Sequence, residues 1–212
     1  MGITQKSAWF LLHRLREACF DKEMKQLLGM VEMDETYIGG KEKNKHQHKK
    51  TKGTQGRSTK TKTSVVGMRS RDGVVVATKM NKVNSDNIQA MIDNHVDGNA
   101  ILYTDEATIY KGIEGYKQLM VNHSARQYVD GIVHTNGIES VWALLKRGYN
   151  GISHHFSDKH IGCYVDEFVF RLNEGNVKVH TWGRIDNMIM GSFGRRLTYK
   201  RLIGKEVVEV CI

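Results

Sequence analysis

Strand-like and helix-like segments follow one another along this chain in an order that few folds can accommodate. β-Branched and apolar residues indicate strands over residues 30–38, 65–68, 74–78 and 100–104, because such residues pack well on a pleated surface. Apolar residues at three- and four-residue intervals indicate helices over 4–20, 84–95, 136–148 and 157–173. Residues 109–119 are expected to form a second helix or a loop that leads to a strand around 120–123. Three adjacent strands, a helix, a strand and further helices predict an α/β domain with a mixed sheet.

The chain has 212 residues and no proline, which is long enough for one sizeable domain with small appendages. We expect the main domain over residues 30–175, a helical segment over 1–22 and a C-terminal extension over 176–212. Asp72 and Gly73 lie between the second and third strands and predict a tight hairpin turn there.

Positive charge is concentrated in one segment, residues 41–63. The lysines and arginine of this segment number nine, against the single acid Glu42, so its net charge of +8 leaves about +1 of the total +9 for the remaining chain. The segment has no hydrophobic period and is expected to be a flexible loop. A local basic element of this kind suits a polyanionic partner such as nucleic acid, and Lys41, Lys43 and Lys45 are candidate contacts to DNA.

Several classes of protein are disfavoured by the composition. No apolar run approaches the roughly 18 residues that a membrane span needs, and the N-terminus lacks the layout of a signal peptide, so we expect a cytoplasmic protein without a membrane partner. The three cysteines are widely spaced and odd in number, which argues against a disulfide framework or a Cys-x-x-Cys zinc site.

Three carboxylates lie at positions where a negative charge needs an ion-pair partner or a bound cation. Asp34 lies inside the first predicted strand, Asp105 follows the apolar run of residues 101–103, and Glu139 can join them from a helix that packs across the sheet. A charge in such surroundings is costly unless it is paired or bound to a cation. Because Mg²⁺ prefers oxygen ligands, the three side chains are candidate magnesium ligands and catalytic residues.

Each candidate also has a purely structural interpretation. Asp34 could form a salt bridge at the end of a strand. Asp105 could cap a turn, and Glu139 could reach back to the start of its own helix in a capping box with Asn136.

Further candidates surround the acidic residues. Lys146 lies seven positions after Glu139 and so on the same helix face, where it and Arg147 could bind the DNA backbone or simply be solvated. His134 and Asn136 are expected to be neighbours that support the acidic site.

Four motifs carry a resemblance to a known family: VEMDETYIGGKEKNKH from Val31, LYTDEATIY, HTNGIESVWALLKRG and, near the end, RRLTYKRL. The chain resembles the DDE insertion-sequence transposases, and more narrowly the insertion sequence fifteen-ninety-five family with its ISXO-type transposase domain. The resemblance implies a ribonuclease H-like fold, with Asp34 and Asp105 as the two aspartates, Glu139 as the third acid and Lys146 as the basic residue after it. It also implies Mg²⁺, for which Mn²⁺ can substitute, DNA strand cleavage and transfer, and a homo-oligomer assembled on double-stranded DNA of transposon ends and target.

Relatives of this group usually begin with a zinc ribbon and a helix-turn-helix. We expect residues 1–22 to be a remnant of that region, corresponding to its last helix. Two alternatives to the active transposase therefore stay open, a DNA-binding remnant without productive catalysis and a ribonuclease H-like nuclease that cuts without strand transfer.

Overall fold

The structure is a computed structural model that describes residues 2–20, 25–40, 46–51, 58–121, 134–154, 156–175 and 180–205. The chain divides into two compact units. One comprises residues 23–165, and the other combines residues 1–22 with residues 166–212. No helix within the described ranges has the length and apolar character needed to cross a bilayer.

A five-stranded mixed sheet forms the centre of the first unit. Its strands are β1 (Met30–Ile38), β2 (Thr63–Ser70), β3 (Val75–Met80), β4 (Ile101–Asp105) and β5 (Lys117–Val121). Their order is β3-β2-β1-β4-β5; β2 is antiparallel to both β1 and β3, whereas β4 runs parallel to both β1 and β5. This order and orientation is that of a ribonuclease H-like sheet, so the predicted fold class is confirmed.

The hairpin between β2 and β3 forms where the sequence predicts it. Gly73 has φ of +103°, a conformation that favours glycine, and its N–H donates to the carbonyl oxygen of Ser70 at 3.0 Å. The tight turn keeps both strands in register, with Gly67 opposite Ala77.

The region between β4 and β5 differs from the sequence-based expectation. Instead of a second helix, it contains a 3₁₀ turn at Thr108–Tyr110 and a loop in which Gly112 and Gly115 have positive φ. β5 also begins at Lys117, three residues before the predicted strand. As an edge strand it pairs through its backbone, and it lacks the apolar alternation that marks half-buried strands. Residues 122–133, where the predicted strand ends, lie outside the described residues.

Helix α2 (Ser85–His95) covers one face of the sheet. Asn84 caps it, since the Asn84 side chain accepts a hydrogen bond from the N–H of Asn87. The helix and sheet enclose the main hydrophobic core, whose members include Val31, Met33, Val66, Met68, Ile88, Ile92 and Leu102.

Helix α3 (Asn136–Gly148) buries the predicted stripe of Ile138, Val141, Trp142 and Leu145. It approaches the sheet closely at Gly67, where a Cβ atom would lie 2.5 Å from the Trp142 ring. Gly67 is the direct partner of Asp34 on β1, so α3 packs on the face that carries the Asp34 side chain.

Helices make up the described part of the second unit: α1 (Gln5–Ala18), the C-terminal half of α4 (Ile161–Asn173), α5 (Thr181–Ser192) and α6 (Tyr199–Ile203). Thr4 caps α1, and Arg16 of α1 forms a 2.8 Å ion pair with Glu167 of α4. Helix α4 begins at Ile161 rather than at residue 157, because residues 158–160 form a turn. The sequence-based division assigned residues 166–175 to the main domain, whereas here they group with the helical unit.

Candidate active site

Asp34 lies on the central strand of the sheet, and other carboxylates surround it. Burial raises the pKa of Asp34 to about 7, and the negative charges of Glu35, Asp105 and Glu139 add to the rise. Asp105 and Glu139 therefore each lie within electrostatic range of Asp34.

Asp105 is the last residue of β4, the parallel neighbour of β1. The paired residues of the two strands end at Glu32 and Tyr103, and Asp34 and Asp105 each follow two positions later. Parallel partners direct their side chains to the same face, which brings the two aspartates to one face of the sheet. The Oδ1 atom of Asp105 also accepts a 2.9 Å hydrogen bond from the N–H of Ala107, so Asp105 has the turn-capping contact that the sequence allowed.

Glu139 lies in the first turn of α3. The hydroxyl of Thr135, the residue before the helix, donates to Oε1 of Glu139 at 3.2 Å. The glutamate thus reaches the start of its helix through Thr135 rather than through a capping box with Asn136. Asn136 is the first helical residue, and its carbonyl oxygen accepts a hydrogen bond from the hydroxyl of Ser140.

Glu35 is a fourth carboxylate of this region that sequence reasoning missed. The hydroxyl of Tyr110 donates to Oε2 of Glu35 at 2.5 Å. Burial raises the pKa of Glu35, the Tyr110 hydrogen bond opposes the rise, and the charge of Asp105 adds to it. Its position directly after Asp34 was the available signal.

The other predicted residues are distributed around the acidic cluster. His134 contacts Arg71 and Glu32. Lys146 and Arg147 are exposed in the last turn of α3. Lys41, Lys43 and Lys45 lie outside the described residues.

The donor set fits a divalent cation in its chemistry. Carboxylate oxygens are the ligands that Mg²⁺ prefers, and a cation would counter the burial and the neighbouring negative charges that together raise the pKa of Asp34. Within the described part of the chain, however, no three acidic, histidine or cysteine side chains are close enough together to form a metal-binding group.

The solved structures that are similar to this chain include two of viral proteins. One is an intasome of simian T-cell lymphotropic virus in complex with PP2A regulatory subunit B56 gamma, at 15% identity and a TM-score of 0.39, covering 93% of this chain and 67% of that chain. The other is the HTLV-2 integrase catalytic core domain in complex with magnesium, in its dimeric form, at 13% identity and a TM-score of 0.40, covering 77% of this chain and 96% of that chain. No functionally curated protein matches the sequence.

The family comparison is more specific. The model of the ISXO2-like transposase domain matches residues 26–173, which is more than half of the chain and includes β1, β4 and α3 with their three carboxylates. The chain belongs to the ISXO2-like transposase domain family.

Proposed function

We propose that this chain is a magnesium-dependent DNA polynucleotidyl transferase. In the proposed reaction, water cleaves a phosphodiester bond at a transposon end and releases a 3′-hydroxyl. That hydroxyl then attacks a phosphodiester of the target DNA, forms a new bond and displaces a target 3′-hydroxyl. Family membership supports this assignment, and the observation that carries it here is the position of Asp34 and Asp105 on neighbouring parallel strands, with Asp105 and Glu139 both raising the pKa of Asp34.

Asp34, Asp105 and Glu139 would hold the metal ions. When bound, Mg²⁺ would activate the attacking oxygen and stabilise the leaving oxygen, and Mn²⁺ would substitute for it. Asp34 would release its proton on metal binding, since the cation offsets the neighbouring negative charges.

Basic residues would bind the DNA backbone. Lys146 and Arg147, exposed in the last turn of the helix that carries Glu139, would contact phosphates near the acidic site. Lys41, Lys43 and Lys45 would add contacts from the basic segment, with His134 and Asn136 supporting the acidic site. The proposed partners are double-stranded transposon ends and target DNA, with several copies of the chain assembled on them.

The test is nicking and strand transfer on a supercoiled plasmid with Mg²⁺ or Mn²⁺. We expect wild-type protein to nick the plasmid and Asp105→Asn to lose this activity by at least about 100-fold, because the substitution removes a charged metal ligand. Asp93→Asn, which changes an exposed aspartate on α2, is the matched control and should retain activity.

Three other results of the plasmid assay would each contradict part of the proposed function. Equal nicking by wild-type protein and Asp105→Asn would contradict the metal site. DNA binding without nicking by either protein would instead identify a non-catalytic DNA-binding remnant. Nicking without strand transfer would identify a nuclease.

A further inference from the structure

A second acidic residue on β1, Glu32, is more deeply buried than Asp34. Its relative exposure is 2%, and it lies two positions before Asp34, on the same face of the strand. A buried carboxylate is costly unless charged or hydrogen-bonding groups compensate it, so the partners of Glu32 reveal what it stabilises.

The partners of Glu32 come from two other parts of the sheet unit. The N–H of Ile138 in the first turn of α3 donates to Oε2 of Glu32 at 2.8 Å. Arg71, just after β2, places its Nε atom 3.2 Å from Oε1, and His134 places Nδ1 3.6 Å from the same oxygen. We call Glu32, Arg71 and His134 the Glu32 cluster.

The Glu32 cluster also determines the tautomer of His134. Nη1 of Arg71 lies 2.7 Å from Nε2 of His134, and a guanidinium can only donate. In a neutral imidazole, Nε2 is therefore the acceptor and Nδ1 carries the proton, 3.6 Å from Oε1 of Glu32 and beyond hydrogen-bonding distance. A second guanidinium nitrogen donates to the His134 carbonyl oxygen at 3.3 Å, which ties Arg71 to the segment that leads into α3.

The Ile138 N–H depends on Glu32 for its hydrogen bond. The first backbone bond at the start of α3 runs from the N–H of Glu139 to the carbonyl oxygen of Thr135. The N–H of Ile138 is thus one of the early amide groups that have no partner inside a helix. A carboxylate at this end of a helix also interacts favourably with the helix dipole.

Glycine at position 137 permits this close approach. A Cβ atom on Gly137 would lie 2.4 Å from Nη1 of Arg69 and 2.6 Å from Oε2 of Glu32. A larger residue would therefore displace the Arg69 side chain, the Glu32 carboxylate or the first turn of α3.

We infer that the Glu32 cluster positions the acidic site by fixing the first turn of α3 against β1. Glu32 precedes Asp34 by two residues on the strand, and its partner Ile138 directly precedes Glu139 on the helix. One buried contact thereby sets the separation of two proposed metal ligands. Glu32 is a positioning residue, and the consequence for metal binding rests on the function proposed above.

Two variants test the inference from opposite sides of the contact. Glu32→Gln keeps the size and one acceptor oxygen but removes the charge. Gly137→Ala keeps the charge of Glu32 but crowds its contact with the first turn of the helix. Ile88→Val, a mild core substitution in α2 on the other face of the sheet, is the control for a general loss of stability.

The hydrogen bond between the Ile138 N–H and Glu32 can be tested without any metal. The measurement is the rate of amide hydrogen exchange at Ile138 relative to that at Ile92 in α2, determined by NMR. We expect exchange at Ile138 to become about tenfold faster in Glu32→Gln, as for a weakened charge-assisted hydrogen bond. If only helix propensity mattered, alanine in place of Gly137 would slow exchange about fivefold, whereas our inference requires faster exchange. Ile88→Val should leave the ratio unchanged.

Binding of Mn²⁺, measured by calorimetry, reports the consequence for the site. We expect the Mn²⁺ dissociation constant to rise about tenfold in Glu32→Gln and Gly137→Ala but not in Ile88→Val. Unchanged exchange at Ile138 in both variants would show that Glu32 does not hold the first turn of α3. Faster exchange with unchanged Mn²⁺ binding would show that Glu32 holds the helix but does not position the metal ligands. If wild-type protein binds no Mn²⁺, the proposed function fails, while the exchange ratio still decides whether Glu32 holds α3.

Discussion

Glu32 and Asp34 are acidic neighbours on one face of β1, yet their surroundings are opposite. Donors surround Glu32, namely the Ile138 N–H and the Arg71 guanidinium. Acids surround Asp34, and its pKa rises to about 7. The first environment supplies hydrogen-bond donors and a cation to a carboxylate, whereas the second raises the pKa of one.

Substitution of Asp34 should change how stability depends on pH. In the unfolded chain an aspartate loses its proton near pH 4, whereas folded Asp34 retains it to about pH 7. The folded state therefore holds an extra proton between these values, and the free energy of unfolding should fall as pH rises through them. We expect Asp34→Asn to match the wild type near pH 4 and to be about 1–2 kcal/mol more stable at pH 8, after discounting for solvent screening.

Urea denaturation at pH 4, 5.5, 7 and 8, with a chelator present, measures this effect. Asp93→Asn controls for the loss of an exposed aspartate. Lower stability of Asp34→Asn than of the wild type at pH 8 would show that the carboxylate is not destabilised by its surroundings.

The sequence indicated some site residues and not others for a physical reason. Asp34 and Asp105 were recognisable because each interrupts or follows an apolar run, which is a local signal. The role of Glu32 depends on Arg71 and Ile138, which are far away in sequence, so no local pattern reports it. The placement of Asp34, Asp105 and Glu139 as catalytic metal ligands remains a prediction.

At the scale of elements, the close packing of α3 on the sheet depends on the lack of a side chain at Gly67. Gly67→Ala would place a methyl group 2.5 Å from the Trp142 ring. We expect the free energy of unfolding to fall by about 1–3 kcal/mol, as in other overpacked cores, and plasmid nicking to fall with it because the helix also carries Glu139.

Gly98→Ala is the matched control, since a Cβ there would meet nothing within 4 Å. Urea denaturation of both variants measures the difference. Equal stability of Gly67→Ala and wild-type protein would mean that α3 is free to shift away from β2.

The sequence predicted the elements best where their apolar period is clear. The apolar stripe on α3 located that helix because only one of its faces is buried, and β1 was located by its β-branched and apolar residues. β5 was placed three residues too late because edge strands are held by backbone hydrogen bonds, which leave little trace in side-chain composition.

For the whole molecule, the distribution of charge should govern DNA binding. The segment of residues 41–63 contributes +8 of the net +9. We expect replacement of Lys41, Lys43 and Lys45 by glutamine to weaken DNA binding and to reduce the slope of log affinity against log salt by about two to three, since each phosphate contact releases counterions.

Binding isotherms at several salt concentrations measure the slope. The same change at Lys82, Lys111 and Lys117, which are exposed lysines of the sheet unit, gives a control of equal net charge. Identical slopes for the two triple variants would show that total charge, rather than the basic segment, determines the affinity.

The grouping of both chain ends into one helical unit was beyond local sequence analysis. Arg16 and Glu167 are separated by 151 positions, and periodicity carries no information about such pairs.

The strand order also determines when, during folding, the residues of the acidic cluster can come together. β2 pairs with both β3 and β1, so these three strands can form early, whereas the parallel pairing of β1 with β4, in which Met30 pairs with Ile101, must wait until β4 has been made. Long loops close slowly because their entropy is lost before any contact compensates it. During synthesis, a ribosome-bound chain would therefore lack one of the three proposed metal ligands, Glu139, until α3 has emerged.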